Sequence, residues 1–257
     1  MTTALITGAS SGLGEEFALQ LAREKFDLVL VARRADKLAS VAERAKGLGA
    51  ARVSIVTADL SHPGAAADVH RRATAGAGQI GCLVNNAGFG THGRFDSLPL
   101  EREIEQIDLN VTSLVALSRL CLPAMIARKS GVIINVASTA AFQAVPWMAT
   151  YGATKAFVLS FSEALAEECR GTGVTITALC PGPTRTEFQA VADVATVRVP
   201  QASYMDAATV VGQALSAAKR GKAIKINGAM NAVMAESTRF VPRALARRVA
   251  GAIFRGR

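Results

Sequence analysis

The opening of the chain constrains its fold more than any other segment. Thr3-Ala4-Leu5-Ile6-Thr7 reads as a short apolar strand. Gly8 to Gly14 then turns it into a helix that begins near Leu13 and runs through Glu15, Phe17, Leu19 and Leu21. The glycines fall in the pattern G-x-x-x-G-x-G. Glycine suits such a turn because the backbone must bend tightly and approach a pyrophosphate with no side chain between, while the helix N-terminus offers amide donors and a favourable dipole. Three glycines in a loop mean little by themselves; their position directly between a strand and a helix gives them weight.

Apolar runs alternate with helical patterns almost to the end of the 257 residues, half of which are apolar. This is the rhythm of an α/β fold with a parallel sheet, and no linker, repeat or low-complexity tract divides it, so one domain over 1–257 is expected. Cys82, Cys121, Cys169 and Cys180 lack metal-type spacing, three of them lie in apolar stretches, and they suit a reducing cytoplasm. His62, His70 and His92 have no ligand cluster around them, so no metal site is expected. Met1 to Gly14 lack a basic leader, and no apolar run is read as long enough to span a bilayer; a soluble or at most peripheral cytoplasmic protein is expected.

The second strand, Asp27-Leu28-Val29-Leu30-Val31, ends in Ala32-Arg33-Arg34. A carboxylate there would hydrogen-bond the ribose hydroxyls of NAD and repel a phosphate, whereas arginine neutralises and forks a 2′-phosphate. The strand end therefore points to NADP(H) in preference to NAD(H). Arg33 is expected as the main contact, with Arg34 or Ser10 assisting.

Tyr151 and Lys155 stand four residues apart and share one face of a helix, so that an ammonium beneath a phenol can lower its pKa and make a proton donor for neutral pH. Ser138 closes the buried run Gly131-Val132-Ile133-Ile134-Asn135-Val136-Ala137, and a residue at the carboxyl end of a parallel strand faces the ligand crevice. Asn110 lies further back, and Asn85-Asn86-Ala87-Gly88 follows another buried run. Each residue alone fits a cap, a turn or a half-buried aromatic. The conjunction is more specific, because the chain has only two tyrosines.

Together with Thr7-Gly8-Ala9-Ser10-Ser11-Gly12-Leu13-Gly14, these elements in this order resemble the classical short-chain dehydrogenase/reductase family. The resemblance implies a Rossmann-type doubly wound parallel sheet in a single domain. It implies a carbonyl or secondary-alcohol oxidoreductase in which Tyr151 donates the proton and Ser138 holds the oxygen. Lys155 would hold the nicotinamide ribose, and Asn110 would anchor a water joining the lysine to solvent. It further implies cofactor contacts from Gly8, Ser10, Ser11, Gly12, Leu13 and Gly14, with Asp59 and Leu60 bordering the adenine after the third strand. Asn86, Ala87 and Gly88 would lie along the cofactor. In the turn Pro181-Gly182-Pro183-Thr184-Arg185-Thr186, Thr184 would meet the carboxamide and Thr186 the phosphates.

The family places a substrate lid at about residues 187–206. Apolar residues there and in Ala140 to Met148, with Phe89, favour an apolar ketone or aldehyde; Arg185 and Arg198 leave an acyl thioester or carboxylate open. The Ala32-Arg33-Arg34 strand end with the basic C-terminus resembles family members of the 3-oxoacyl and 17β-hydroxysteroid types, so such substrates stay open. Helical patterns from about Leu100 to Arg128 and Tyr151 to Arg170 imply a homodimer or homotetramer by resemblance. The rival from another class is a regulator or scaffold that binds cofactor without turnover; loss of Asn110, Ser138, Tyr151 or Lys155 would have favoured it, and all four are present.

The formal charge of +9 is mainly a property of the tail. No acid follows Glu236, while Arg239, Arg243, Arg247, Arg248, Arg255 and Arg257 do, which leaves +3 on residues 1–236. This concentration and the few aromatics argue against nucleic-acid binding. In a terminal helix over about 237–257, Val241, Leu245, Val249, Ala252 and Ile253 form an apolar stripe. Packing on a partner subunit or over the pocket is favoured over peripheral membrane contact.

Overall fold

The computed structural model of the protein describes residues 2–188 and 204–255. Among them seven strands form one parallel sheet: β1 (Thr3–Thr7), β2 (Asp27–Ala32), β3 (Val53–Thr57), β4 (Ile80–Asn85), β5 (Gly131–Val136), β6 (Val174–Cys180) and β7 (Ile224–Ile226). Their order is β3-β2-β1-β4-β5-β6-β7. Parallel neighbours cannot be joined by hairpins, so helices carry the crossovers. These are α1 (Gly12–Arg23), α2 (Ala35–Gly47), α3 (Ala65–Ala77), α4 (Leu100–Ile107), α5 (Ser113–Ala127), α6 (Ala149–Glu168) and α7 (Ala207–Lys219). Helices α8 (Ala229–Ser237) and α9 (Arg243–Phe254) follow the sheet.

The strands read as continuous apolar runs because both faces of the sheet are covered. Ala4 and Ile6 of β1 face a core with Phe17 and Leu21 of α1, Leu38 of α2 and Val210 of α7. Leu5, between them, points the other way, to Val69 of α3 and Leu117 and Met125 of α5. The register Thr3↔Asp27 to Thr7↔Val31 aligns the ends of β1 and β2. The chain winds outward from β1 to β3 and then returns to β4 on the other side of β1. At that reversal the carboxyl ends of β1 and β4 diverge into connections on opposite faces, which opens the crevice where ligands bind in such sheets.

Two expectations change. Helix α4, a π-helical turn at Asp108–Thr112 and α5 run on as one helical stretch, Leu100–Ala127, long and apolar enough by length and composition to cross a membrane. Leu117, Cys121 and Met125 turn one face of it to the sheet, while Leu100, Ile104, Ile107, Leu120 and Ile126 stay exposed. In α9, Leu245, Val249 and Ile253 are about half exposed, while Ala250 is buried and Phe254 packs inward. The face turned to the protein is one residue round from the apolar stripe.

Candidate active site

The glycine-rich turn and the turn after β4 are built as one unit. Thr7 Oγ1 accepts from the backbone amides of Asn86 and Ala87, each at 2.9 Å. Asn86 Nδ2 in return donates to the carbonyls of Thr7 at 2.9 Å and Gly8 at 3.2 Å. A Cβ on Gly14 would lie 2.2 Å from the Gly8 carbonyl oxygen and 2.5 Å from Asn86 Nδ2, so only glycine fits there. Gly8, at φ 64°, occupies the left-handed region. Ser11, the N-cap of α1, makes no side-chain capping bond, so no side chain takes the first-turn amides from an incoming anion. Leu13 packs into the core, and the Thr186 side chain lies 3.2 Å from where a Cβ of Gly12 would be. This cradle fits a dinucleotide pyrophosphate.

At the end of β2 the two arginines part. Arg34 donates to Ser10 Oγ at 3.0 Å and Ser11 Oγ at 2.8 Å, beside the glycine turn. Arg33 Nη1 lies 3.3 Å from Asp59 Oδ2 and 3.4 Å from Glu105 Oε1. Asp59 also caps its own turn, accepting from the Ser61 amide and hydroxyl, and Leu60 is buried.

The four candidate catalytic residues converge. Ser138 ends β5 in an extended conformation and its hydroxyl accepts from the Ala140 amide at 3.1 Å. Tyr151 and Lys155, from the first two turns of α6, are 8% and 6% exposed. Lys155 Nζ donates to the Val136 carbonyl at 2.7 Å and stands 5.8 Å from the Tyr151 ring centroid. The π-helical turn presents Asn110 inward: its Oδ1 accepts from the Phe89 amide, and its Nδ2 donates to the Phe89 carbonyl and Thr154 Oγ1. Gly88 permits the approach, since a Cβ there would sit 2.8 Å from Asn110 Oδ1 and 3.5 Å from Lys155 Nζ.

Burial dominates the electrostatics. It pushes the Tyr151 phenol up to about 12, against a lowering influence from the Ser138 hydroxyl. It pulls Lys155 down to about 8. The expected lowering of the phenol by Lys155 is not what sets Tyr151 in this arrangement; the hydroxyl of Ser138 is the group that opposes burial.

After β6, Pro181 accepts from the Thr139 amide through its carbonyl, which ties this turn to Ser138. Gly182 lies where a Cβ would meet Asn231 Nδ2 at 2.3 Å, and Thr184 bridges to Met205. Of the expected lid, Glu187, Phe188 and residues 204–206 are described; Arg198 lies outside the described residues. Phe188 packs on Tyr151 with ring centroids 5.3 Å apart. Val145, Met148, Tyr151 and Phe254 form an apolar cluster with it.

Two residues enter the site that sequence reasoning passed over. Glu103, 4% exposed, accepts from the hydroxyls of Thr91 at 2.5 Å and of Thr150. Glu187 pairs with Arg34 and with Lys37. Acids on helices and at lid ends usually face water, and nothing in their spacing marked these two.

The family model of the short chain dehydrogenases matches residues 2–196. An uncharacterised oxidoreductase of Myxococcus xanthus is 39% identical over 188 residues, covering 73% of this chain and 74% of that protein. A very-long-chain 3-oxoacyl-CoA reductase of Laccaria bicolor is 38% identical over 178 residues, which cover 67% of this chain and 52% of its own length. This chain thus spans about half of that relative. A short-chain dehydrogenase from Sphingobium yanoikuyae, solved in complex with NADPH, superimposes with a TM-score of 0.84 at 34% identity, over 96% of this chain and 95% of that one. A match that runs from the first strand past the sixth, joined to that likeness over the whole sheet, means that the chain belongs to the short-chain dehydrogenase/reductase family of oxidoreductases.

Proposed function

We propose that the protein is an NADP(H)-dependent reductase of an apolar ketone or aldehyde, acting reversibly between the carbonyl and the corresponding secondary or primary alcohol. The reading rests above all on the convergence of Asn110, Ser138, Tyr151 and Lys155 beside the glycine cradle, with Tyr151 inside an apolar cluster. When bound, NADPH supplies the hydride.

The residues of the chain supply the rest. The Tyr151 phenol, held protonated at neutral pH by burial, gives its proton to the substrate oxygen as charge develops there. The Ser138 hydroxyl holds that oxygen. Lys155 keeps its ammonium beside the tyrosine and holds ribose hydroxyls, and Asn110 fixes the backbone at Phe89 and the hydroxyl of Thr154 between them. Gly8, Ser10, Ser11, Gly12, Leu13 and Gly14 receive the pyrophosphate, Arg33 and Arg34 the 2′-phosphate, Asp59 and Leu60 the adenine. Asn86 to Gly88 line the cofactor, and Pro181, Gly182, Thr184 and Thr186 hold the nicotinamide end. Exposed Leu100, Ile104 and Ile107 on α4 and Phe157 on α6 favour a homodimer or homotetramer through these helices.

The deciding experiment is Tyr151→Phe. It should lower carbonyl turnover by two or more orders of magnitude, on the order of what a general acid contributes, while fluorescence titration shows NADPH binding nearly intact. A variant keeping most of its activity removes Tyr151 from the acid role. Failure of the parent protein to bind either nicotinamide nucleotide removes the whole reading.

A further inference from the structure

We propose that the groove between Trp147 and helix α9 binds the phosphate-bearing end of the substrate, so that the substrate is an acyl thioester of a phosphorylated, coenzyme A-like carrier; this rests on the reductase reading above. The groove is open to solvent, offers a volume of about 540 Å³ and is lined by Pro146, Trp147, Arg247, Arg248, Gly251 and Arg255 among others. Arg247, Gly251 and Arg255 recur every four residues, and a Cβ on Gly251 would meet Pro146 at 3.5 Å, so this face of α9 turns towards the 146–147 segment.

Three features mark a binding site. Among the described residues no carboxylate pairs with Arg247, Arg248 or Arg255, whereas Arg239 outside the groove pairs with Glu236 at 3.3 Å. Three arginines lining one groove with no carboxylate partner among the described residues are matched by phosphate, whose oxygens accept their forked donors. Trp147, the only tryptophan of the chain, sits at φ 69°, in the left-handed region that bulky residues avoid, with its carbonyl fixed by the Gly93 amide at 2.8 Å. Its ring faces the Arg255 guanidinium at 5.9 Å and offers a flat surface on which a base stacks.

The groove is also joined to the reacting centre. Val145 and Met148, on either side of Pro146 and Trp147, pack with Tyr151, and so does Phe254, the residue before Arg255. His92 Nε2 bonds the Phe254 carbonyl at 2.7 Å and holds that end of α9 in place. An apolar acyl chain with its carbonyl at Tyr151 would therefore have its phosphorylated end beside the arginines. A steroid or simple ketone would leave them without a partner.

The test compares a 3-oxoacyl coenzyme A thioester with the N-acetylcysteamine thioester of the same acyl chain, at saturating NADPH. The parent protein should prefer the coenzyme A thioester in kcat/KM by about tenfold or more, on the scale of charge-assisted phosphate contacts. Arg247→Ala with Arg248→Ala, and separately Arg255→Ala, should erase most of that preference, while Arg239→Ala keeps it. Coenzyme A titrated into protein saturated with NADP+ should bind, and the double variant should bind it about tenfold more weakly.

Equal use of both thioesters by the parent protein, or variants that lower both alike, overturns the proposal and leaves the reductase reading standing. So do variants that lose only attachment to phosphatidylglycerol vesicles, because the phosphate would then belong to a lipid surface. If no carbonyl oxidises NADPH, the reductase reading falls, and the coenzyme A titration still decides whether the groove binds phosphate.

Discussion

Arg34 and Glu187, 153 residues apart in sequence, meet through Nη1 and a carboxylate oxygen at 2.9 Å, and Lys37 Nζ takes the other oxygen at 2.6 Å. Lys37 first and Arg34 second hold the Glu187 carboxyl down at about 2. The guanidinium that also bridges Ser10 and Ser11 thus already carries an anion, on the segment where the substrate lid is expected to begin.

A 2′-phosphate that uses Arg34 must compete with that carboxylate. Glu187→Gln removes the competitor, so NADPH should bind roughly twofold to fivefold more tightly, as expected for a part-exposed ion pair, with NADH unchanged. Because the folded carboxyl is depressed, the pair is fully present above the ordinary carboxylate pKa near 4.5 and is lost only as pH falls towards 2. The gain should therefore be the same at pH 7 and pH 8, where the 2′-phosphate also keeps most of its second charge. Equal responses of NADPH and NADH would detach Glu187 from phosphate selection.

The glycine cradle gives a paired stability test. Gly14→Ala pushes a methyl into the Gly8 carbonyl and the Asn86 amide, which are bonded to each other and cannot both yield. It should cost about 2 kcal/mol or more and abolish nucleotide binding. Gly76→Ala, on the exposed surface of α3 with nothing within 4 Å of the added methyl, should stabilise by about 0.5–1 kcal/mol. Urea midpoints that move the same way for both would show that the crowding at Gly14 relaxes.

Much of this molecule is legible in its sequence because burial on both faces of a parallel sheet leaves plain apolar runs, and because the proposed chemistry asks for Ser138, Tyr151 and Lys155 by residue type and spacing. Contacts between distant segments leave no such trace. The strand end does not reveal that Arg34 turns to Ser10 and Ser11 while Arg33 turns to Asp59 and Glu105. On α9 a stripe of Leu245, Val249 and Ile253 dominates the periodicity, but the contact goes to Ala250, Gly251 and Phe254, whose small or single large side chains let the helix approach Pro146. Glu103 reads as one more acid on a polar helix, and only the fold places Thr91 and Thr150 over it.

That carboxylate positions the neighbour of Tyr151. Glu103→Ala leaves the half-buried hydroxyls of Thr91 and Thr150 without their charged acceptor and should cost roughly 1–2 kcal/mol. It should also lower kcat more than nucleotide affinity, because Thr150 precedes Tyr151 directly at the start of α6. Glu103→Gln keeps one acceptor and should restore most of the stability and rate. An Ala variant with normal kcat would confine Glu103 to a packing role.

Lys155 should be a cost to folding that the site retains. Burial lowers its folded pKa to about 8 from 10.5, so the unfolded chain binds the proton more tightly. Unfolding then takes up protons between those values: the cost is fully present below pH 8 and shrinks as pH rises towards 10.5. Lys155→Met removes the charge but leaves the Val136 carbonyl without its donor. The balance should still make the variant more stable at pH 7 by roughly 1–3 kcal/mol while turnover is lost, with the gap narrowing by pH 9.5. Thermal melts of the two proteins at pH 7 and 9.5 read this directly. A variant less stable at pH 7, with a constant offset at both values, would mean that the bond to Val136 offsets the desolvation of the ammonium, and that the lysine is held in its charged form without strain on the fold.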